Sequence, residues 1–272
     1  MAKNEFEKEE KYRLFRTVQE ILHPSISKKN ISDYEIIVEE NILPIRVFYP
    51  KKVSYFCSIM IFIHGNGKVT HCSQKYADIC KNLSTESNSL VMALEYEEES
   101  HNATKTYQEI YKTVKYLYER LEKNDIDPRN ILLVGDSTGG NIVTGMNYQN
   151  NGEIPIKKEI LFYPVLHTDY PNGNTLSTKL QNYYEEFLSE EEKNSPLLNP
   201  LETTLEIPET LLIVGKIDPL SEEAKAYKEK YSEIVHYVEI PFSGHGFLEK
   251  MDNELIREVF EEINQFIEIE RM

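Results

Sequence analysis

A serine flanked by glycines is the residue in this chain best placed to carry out chemistry. Residues 135–140 read Gly-Asp-Ser-Thr-Gly-Gly and follow directly on the apolar run 131–134. The glycines permit a turn too sharp for side chains, which leaves the hydroxyl of Ser137 exposed where a helix begins. The positive end of that helix, over about 138–148, points at the serine. The pattern predicts a nucleophile; the alternative is a glycine-rich turn needed only to pack a strand against a helix.

Two later residues could activate this hydroxyl. An alcohol is a poor nucleophile at neutral pH and needs an adjacent base, here a histidine held by a carboxylate. When a serine elbow follows a strand in an α/β sheet, the carboxylate and then the histidine come later in the chain. Asp218 and His245 each come just after a β-rich run, and His236 is the only other histidine beyond Asp218. His236 falls inside a predicted strand, where we expect it to point into sheet packing, so Asp218 and His245 are the predicted partners of Ser137.

A glycine-rich turn at 64–67, which reads His-Gly-Asn-Gly, follows another apolar run. Acyl transfer builds negative charge on a carbonyl oxygen, and backbone N–H groups must stabilise it. We expect the N–H groups of Asn66 and Gly67, with Gly65 as a further candidate, to join that of Thr138 in such an oxyanion hole. His64 is predicted to brace the turn by hydrogen bonding and not to serve as the base. The alternative is a tight turn between a strand and a helix.

Eight short β-rich runs are predicted to position these residues. The first two flank a polar bend and predict an antiparallel pair, whereas the continuous apolarity of most later runs is typical of strands covered on both faces. Helical spacing recurs between them, over 103–122, 221–232 and 252–268. This alternation predicts an α/β fold with a mostly parallel, doubly wound sheet of about eight strands. The runs are 34–38, 45–49, 59–63, 90–94, 131–134, 160–163, 211–214 and 235–240.

Two segments fall outside the alternation. Residues 1–30 have the spacing of an amphipathic helix, and residues 165–200 separate two strands by far more than an ordinary loop. No repeat or linker divides the chain, so we expect a single domain over 1–272. Both segments are predicted to form a helical cap over the site.

Composition restricts the partners and the setting. The net charge of −16 opposes binding to nucleic acid and to an anionic membrane surface, and no apolar run is long enough to cross a bilayer. The polar N-terminal residues and the odd count of three cysteines predict a reducing cytoplasm. His71, Cys72 and Cys80 lack the spacing of metal ligands, and we expect Cys80 to pack inside a helix. No metal or organic cofactor is expected.

Several motifs together resemble the hormone-sensitive-lipase-like carboxylesterase group of α/β hydrolases. Residues 135–141, Gly-Asp-Ser-Thr-Gly-Gly-Asn, are similar to that group's Gly-Asp-Ser-Ala-Gly-Gly-Asn, and 64–67 stand where the group has His-Gly-Gly-Gly. Residues 94–96 (Leu-Glu-Tyr) take the place of its Asp-Tyr-Arg, and 195–197 match a Ser-Pro-Leu at the end of the cap. Residues 218–223 and 244–247 resemble its Asp-x-Leu-x-Asp-Glu and His-Gly-Phe segments. The matches span about 59–250 in the group's order.

The resemblance implies a serine hydrolase that cleaves esters of short to medium acyl chains through an acyl-enzyme. Ser137 attacks, His245 acts as base and Asp218 orients it. Asn66 replaces a glycine of the group's oxyanion hole, and Thr138 replaces an alanine while keeping the N–H. The segment after Tyr96 also departs from the group's pattern, so that loop is expected to be arranged differently.

Two other functions stay open at this point. An amidase, peptidase or deacetylase would use the same triad, and comparing ester with amide turnover separates it from an esterase. A catalytically silent small-molecule receptor of the same fold would show binding without turnover. The aromatic residues of 162–187 suit an apolar substrate pocket, or they pack the cap onto the sheet. The sequence leaves the natural substrate undetermined, and a homodimer stands beside a monomer as an alternative.

Overall fold

A computed structural model describes most of the chain, and the statements below concern its described residues. The described ranges are 29–31, 34–37, 42–51, 58–65, 74–96, 102–123, 127–170, 175–250 and 252–268.

Nine strands among these residues form one sheet in the order β1-β2-β3-β5-β4-β6-β7-β8-β9. The pairs β1/β2, β2/β3 and β3/β5 are antiparallel, and every other pair is parallel. The predicted doubly wound, mostly parallel sheet is therefore confirmed. The strands are β1 (Lys29–Ile31), β2 (Tyr34–Ile37), β3 (Ile45–Phe48), β4 (Ile59–Ile63), β5 (Leu90–Leu94), β6 (Ile131–Asp136), β7 (Lys158–Phe162), β8 (Glu209–Gly215) and β9 (Val235–Ile240).

The central strands are continuous apolar runs because both faces of the sheet are covered. In β4, Ile59, Ile61 and Ile63 belong to the hydrophobic cluster on one face, and Met60 and Phe62 belong to the cluster on the other. All five residues of this strand are fully buried. Side chains alternate across a strand, so an unbroken apolar run supplies both layers at once.

Helices cover the two faces. Helices α2, α3 and α6 contribute to the cluster with Ile59, and α1 and α7 contribute to the cluster with Met60. Cys80 of α1 is buried, as predicted. None of the described helices is long and apolar enough to cross a membrane. The helices are α1 (Gln74–Glu86), α2 (Ala103–Lys123), α3 (Thr138–Asn150), α4 (Thr175–Phe187), α5 (Glu190–Lys193), α6 (Ser221–Lys230) and α7 (Asn253–Glu268).

Two expectations need correction. Residues 29 and 30, at the end of the predicted N-terminal helix, belong instead to strand β1, which pairs with β2 and gives the sheet its ninth strand. Residues 1–28 lie outside the described residues. His236 does lie in a strand, but β9 is an edge strand, and the side chain is 48% exposed and 3.0 Å from Glu209 rather than packed into the sheet.

The predicted cap segment 165–200 contains α4 and α5. Helix α5 begins with a capping box, in which the Ser189 hydroxyl accepts from the Glu192 N–H and the Glu192 carboxylate accepts from the Ser189 N–H. Glu192 also accepts from the N–H of Thr104 at 3.0 Å, which ties this segment to the start of α2. The joint role of segments 165–200 and 1–30 as a cap over the site stays a proposal.

Candidate active site

Ser137 lies on the turn between β6 and α3, in a strained backbone conformation with φ 51° and ψ −120°. Two close approaches explain the glycines around it. A Cβ at Gly135 would lie 2.6 Å from the carbonyl oxygen of Gly139, and a Cβ at Gly139 would lie 2.1 Å from that of Ile63. The Ser137 N–H donates to the Phe162 carbonyl at 3.0 Å. The turn is therefore anchored on both sides, and a side chain at either glycine would push it apart.

The structure brings the three residues predicted to act together into one hydrogen-bonded chain. Ser137 Oγ lies 2.9 Å from His245 Nε2, and His245 Nδ1 lies 3.0 Å from Asp218 Oδ2. The Asp218 carboxylate is buried, and its other oxygen accepts from the Leu220 N–H at 2.8 Å. With a carboxylate beside Nδ1, the proton of a neutral His245 belongs on Nδ1, which leaves Nε2 as an acceptor for the serine hydroxyl.

The loops that carry Asp218 and His245 are packed against each other. The Ile217 N–H donates to the Ser243 carbonyl at 3.0 Å. A Cβ at Gly215 would lie 2.3 Å from that same carbonyl oxygen, so the two loops meet with no room for a side chain. These loops follow the adjacent parallel strands β8 and β9, whose carboxyl ends lie at the same edge of the sheet. The spacing of the carboxylate and the imidazole is thus set by backbone contacts.

A buried carboxylate connects the nucleophile turn to the turn after β4. Asp136 Oδ1 accepts from the Gly65 N–H at 2.7 Å, and the Tyr76 hydroxyl lies 3.1 Å from the Gly65 carbonyl oxygen and 3.3 Å from Asp136 Oδ2. The Tyr163 hydroxyl lies 3.5 Å from the same Oδ2. We call Gly65, Tyr76 and Asp136 the turn clamp. Burial raises the pKa of Asp136 to about 6, against the opposing effect of the Gly65 hydrogen bond.

The turn clamp changes one expectation for the oxyanion hole. The Gly65 N–H already donates to Asp136, so it is not available to stabilise an oxyanion, and Gly65 is no longer proposed as a donor. Asn66 and Gly67 lie outside the described residues. Thr138 is the first residue of α3 and is buried next to Ser137. The proposed donors are therefore Asn66, Gly67 and Thr138.

His64 makes the hydrogen bond expected of a bracing residue. Its Nδ1 lies 2.9 Å from the Gly65 carbonyl oxygen, and its ring stacks on that of Tyr96 with centroids 4.5 Å apart. The Tyr96 hydroxyl in turn donates to the His64 carbonyl. Burial lowers the pKa of His64, which favours a neutral imidazole that donates through Nδ1. His64 therefore stabilises the turn and is separate from the Ser137 hydrogen-bond chain.

An open cleft of about 390 Å³ exposes the serine to solvent. Helix α4 forms one wall with Leu176, Leu180 and Tyr183, and Tyr163 lies deeper. The Tyr163 ring contacts His245 edge-on, with centroids 4.9 Å apart. The cleft thus combines apolar walls with a small number of polar groups, as small-molecule sites usually do. The cleft is also lined by four charged residues, namely Asp136, Lys179, Glu249 and Lys250.

A second buried carboxyl lies behind Asp218. Glu223 of α6 accepts from the Tyr170 hydroxyl at 3.1 Å and lies 3.1 Å from His167 Nε2. Burial raises the pKa of Glu223 to about 8 and lowers that of His167, so near pH 7 this contact joins two uncharged groups. These contacts connect His167 and Tyr170, near the start of the predicted cap segment, to helix α6, which follows Asp218.

Sequence reasoning missed the supporting residues of the site. Tyr76 and Tyr163 each lie far from Asp136 along the chain, and nothing in their local sequence indicates a polar contact. Glu223 is the last residue of the segment 218–223 that resembles Asp-x-Leu-x-Asp-Glu, so the sequence could have indicated it. Its burial could not be predicted from the sequence.

A family model described as alpha/beta hydrolase fold matches residues 60–249. A protein of Acanthamoeba polyphaga mimivirus, named as an alpha/beta hydrolase, is 26% identical over 226 residues, which cover 76% of this chain and 65% of that protein. Ethyl acetate hydrolase of Pseudomonas putida is 23% identical over 242 residues, covering 80% of this chain and 76% of the relative. Arylacetamide deacetylase of Mus musculus is 25% identical over 169 residues, covering 58% and 41%.

Solved structures share the fold over nearly the whole chain. The Francisella virulence factor BioJ superposes with a TM-score of 0.72 at 24% identity, covering 93% of this chain and 87% of that one. This likeness concerns the fold. The chain spans 35% to 65% of the length of the first three curated relatives it matches.

Proposed function

We propose that this chain, which belongs to the hormone-sensitive-lipase-like group of the alpha/beta hydrolase family, is a serine carboxylesterase acting on small-molecule esters of short to medium acyl chains. One observation carries the proposal: the continuous hydrogen-bonded chain from Ser137 through His245 to the buried Asp218. Each member has the partner that its chemistry needs, and the serine faces an open cleft.

In this mechanism the Ser137 oxygen attacks the ester carbonyl while His245 Nε2 takes the hydroxyl proton. Asp218 stabilises the imidazolium that results. The carbonyl oxygen gains the negative charge, which the N–H groups of Asn66, Gly67 and Thr138 are proposed to stabilise. The bond to the alcohol oxygen then breaks, and His245 returns the proton to that oxygen.

The acyl-enzyme is hydrolysed by the same groups in reverse roles. A water molecule gives a proton to His245 Nε2 and attacks the acyl carbon. The bond to Ser137 Oγ breaks, and the serine oxygen recovers the proton from His245. Every proton in the cycle passes through one imidazole, so no group outside the hydrogen-bonded chain is required for proton transfer.

Amide hydrolysis is the second candidate. Its support is the similarity to arylacetamide deacetylases, which extends over 58% of this chain in the mouse protein. The chemistry is the same, except that His245 protonates a nitrogen leaving group. Ester hydrolysis ranks first because the relative with the larger share of both chains covered is named as an ethyl acetate hydrolase.

Parallel assays of p-nitrophenyl acetate, p-nitrophenyl butyrate and p-nitroacetanilide test both candidates. We expect the esters to be cleaved faster, and the Ser137→Ala substitution to lower kcat by about 10⁴–10⁶. Ser232→Ala, in an exposed turn before β9, is the matched control and should leave kcat unchanged. Faster cleavage of the anilide would favour the deacetylase. Turnover that persists in Ser137→Ala would refute the mechanism.

A cytoplasmic setting forms part of the proposal. Its support is the odd number of cysteines in the chain, three, which favours a reducing compartment. A homodimer stays an untested alternative to a monomer. Size-exclusion chromatography with light scattering decides between them.

A further inference from the structure

We infer that Tyr163 is a positioning residue of the proposed esterase and that it holds the His245 imidazole in place beside Ser137. The inference rests on the proposed function and adds a residue to it. Tyr163 comes directly after strand β7, and its side chain is buried. Its backbone is fixed relative to the nucleophile, and its side chain packs against the base.

The bend 162–165, which contains Tyr163, is bonded to the nucleophile on both sides. The Ser137 N–H donates to the Phe162 carbonyl at 3.0 Å, and the Ser137 carbonyl accepts from the Val165 N–H at 3.0 Å. These bonds come from the residue before Tyr163 and from the second residue after it. The position of Tyr163 is therefore set relative to Ser137 by two backbone hydrogen bonds.

The backbone of Tyr163 adopts a conformation that large residues rarely take. Its φ is 36°, in the left-handed region where a Cβ is disfavoured. Its N–H still donates to the Ile213 carbonyl at 2.8 Å, so the strained residue is firmly held. Such strain persists where surrounding contacts determine it, and it clusters at functional sites. Glycine would adopt this backbone without strain, so a tyrosine here indicates that the side chain is needed.

The Tyr163 side chain contacts the loop that carries the base. Its ring is edge-on to that of His245, with centroids 4.9 Å apart, and edge-on to that of Phe247, with centroids 5.0 Å apart. Its hydroxyl accepts from the Leu248 N–H and lies 3.5 Å from Asp136 Oδ2. The imidazole is thus packed against a ring that is itself held on several sides.

The two hydrogen bonds of His245 leave one motion of the imidazole open. Nδ1 is held by Asp218 and Nε2 by Ser137, so the ring can still tilt about the line between these nitrogens. The Tyr163 ring restricts this tilt. A displacement of the reacting groups by about 1 Å can lower the rate about 100-fold, so the restriction affects turnover.

The contact matters most after the acyl-enzyme has formed. Ser137 Oγ then carries the acyl group and has no proton to share with His245 Nε2. The imidazole keeps its bond to Asp218 and its packing against Tyr163, and in this state it must take a proton from the attacking water. Loss of the Tyr163 ring should therefore slow deacylation more than acylation.

Steady-state and stopped-flow hydrolysis of p-nitrophenyl acetate by the wild type and Tyr163→Leu tests this role. We expect kcat, which deacylation limits, to fall about 100-fold. The ratio kcat/KM, which reports acylation, should fall less than about tenfold, so KM falls as well. An early burst of about one p-nitrophenol per folded chain should show the accumulated acyl-enzyme. Tyr163→Phe keeps the ring and loses only the contacts of the hydroxyl, so its kcat should fall about 3- to 10-fold.

Tyr118→Leu is the matched control. Tyr118 is a buried tyrosine of helix α2, and its hydroxyl lies 3.4 Å from the Ile131 carbonyl oxygen. This variant should lose stability in thermal melting, as Tyr163→Leu does, and keep the kcat and KM of the wild type. Tyr163→Met is a second variant without the ring, and thermal melting verifies the folding of each protein.

The outcomes separate this inference from the proposed function. A folded Tyr163→Leu or Tyr163→Met with the wild-type kcat overturns the role of Tyr163 while the esterase function stands. Equal falls in kcat and kcat/KM without a burst also overturn it, because a purely structural loss of active protein gives that result. If neither variant folds, Tyr163→Phe decides, and a kcat within twofold of the wild type overturns the inference. A wild type that leaves p-nitrophenyl acetate uncleaved overturns the esterase function and the inference together.

Discussion

Removing the Asp136 carboxylate should lower turnover without unfolding the protein. This side chain lies beside the nucleophile, yet it does not belong to the Ser137–His245–Asp218 chain. Its role in the structure is to hold the Gly65 N–H at 2.7 Å and thereby fix the turn whose next residues, Asn66 and Gly67, are the proposed oxyanion donors. Substitution therefore tests whether the turn clamp positions the oxyanion hole.

The expected loss follows from the strength of one hydrogen bond. A bond from a backbone N–H to a buried carboxylate contributes about 1.5–3 kcal/mol. If Asp136→Ala loses this amount in the transition state, kcat falls about 10- to 150-fold, at 1.36 kcal/mol per factor of ten. Asp136→Asn keeps an oxygen acceptor at about half the strength, so its kcat should fall about 3- to 10-fold. KM should change little, because the oxyanion forms only after binding.

Stability should move in the opposite direction to activity in Asp136→Asn. Burial raises the pKa of Asp136 from 3.8 to about 6, so the folded protein keeps a proton that the unfolded chain releases between these values. The stability of the wild type therefore decreases as pH rises through this window. Above the window the carboxylate is ionised, which lowers the free energy of unfolding by about 3 kcal/mol at most. At pH 8 the neutral Asn should be at least as stable as the wild type while it turns over more slowly.

Steady-state hydrolysis of p-nitrophenyl acetate at pH 8, with urea unfolding of the same samples, measures both effects. Asp127 lies near the amino end of the same strand, paired with Arg129 at 2.6 Å, and Asp127→Asn is the matched control with unchanged kcat. The reasoning about the turn clamp is refuted if folded Asp136→Ala keeps kcat within threefold of the wild type. A rise in KM at constant kcat would also refute it.

Two further predictions concern packing and pH. Gly139→Ala places a Cβ 2.1 Å from the Ile63 carbonyl oxygen, so the free energy of unfolding should fall by about 3 kcal/mol and the melting temperature by about 5–10 °C. Gly152→Asn is the control, because a Cβ there has open space, and it should melt within about 2 °C of the wild type. Equal decreases in melting temperature for the two variants would contradict the explanation by packing. Burial raises the pKa of Glu223 from 4.5 to about 8, so the stability of the wild type should decrease as pH rises through that window. The neutral side chain in Glu223→Gln does not titrate. Between pH 5 and pH 8.5, its free energy of unfolding in urea should therefore rise by about 2–4 kcal/mol relative to that of the wild type. The exposed Glu222→Gln should show no such gain, and parallel curves for Glu223→Gln and the wild type would remove the argument.

The sequence predicted what depends on local pattern. Unbroken apolar runs identified the central strands, because burial on both faces requires apolar residues at every position, as in β4 and β5. The glycines at 135 and 139 indicated the elbow because only glycine fits the close approaches found there. Strand β1 lies partly inside 1–30, where the spacing of apolar residues predicts a helix, but residues 29–31 pair with β2.

The supporting contacts of the site could not be read from the sequence. Tyr76 and Gly65 lie 11 residues apart in the chain, and Tyr163 comes directly after the strand next to β6. These contacts can be recognised only when the order of the strands in the sheet is known. The exposure of His236 likewise depends on β9 being the edge of the sheet, which no local pattern specifies. Long-range pairing therefore determines which polar side chains act together.

Covalent labelling shows whether Ser137 is the nucleophile. A fluorophosphonate reacts with a serine whose oxygen is activated by an adjacent histidine, and peptide mass spectrometry locates the adduct. We expect one adduct on Ser137, which is absent in Ser137→Ala, strongly reduced in His245→Gln and retained in Ser232→Ala. A folded wild type that stays unlabelled, or an adduct that persists in Ser137→Ala, would contradict the claim that Ser137 is the nucleophile.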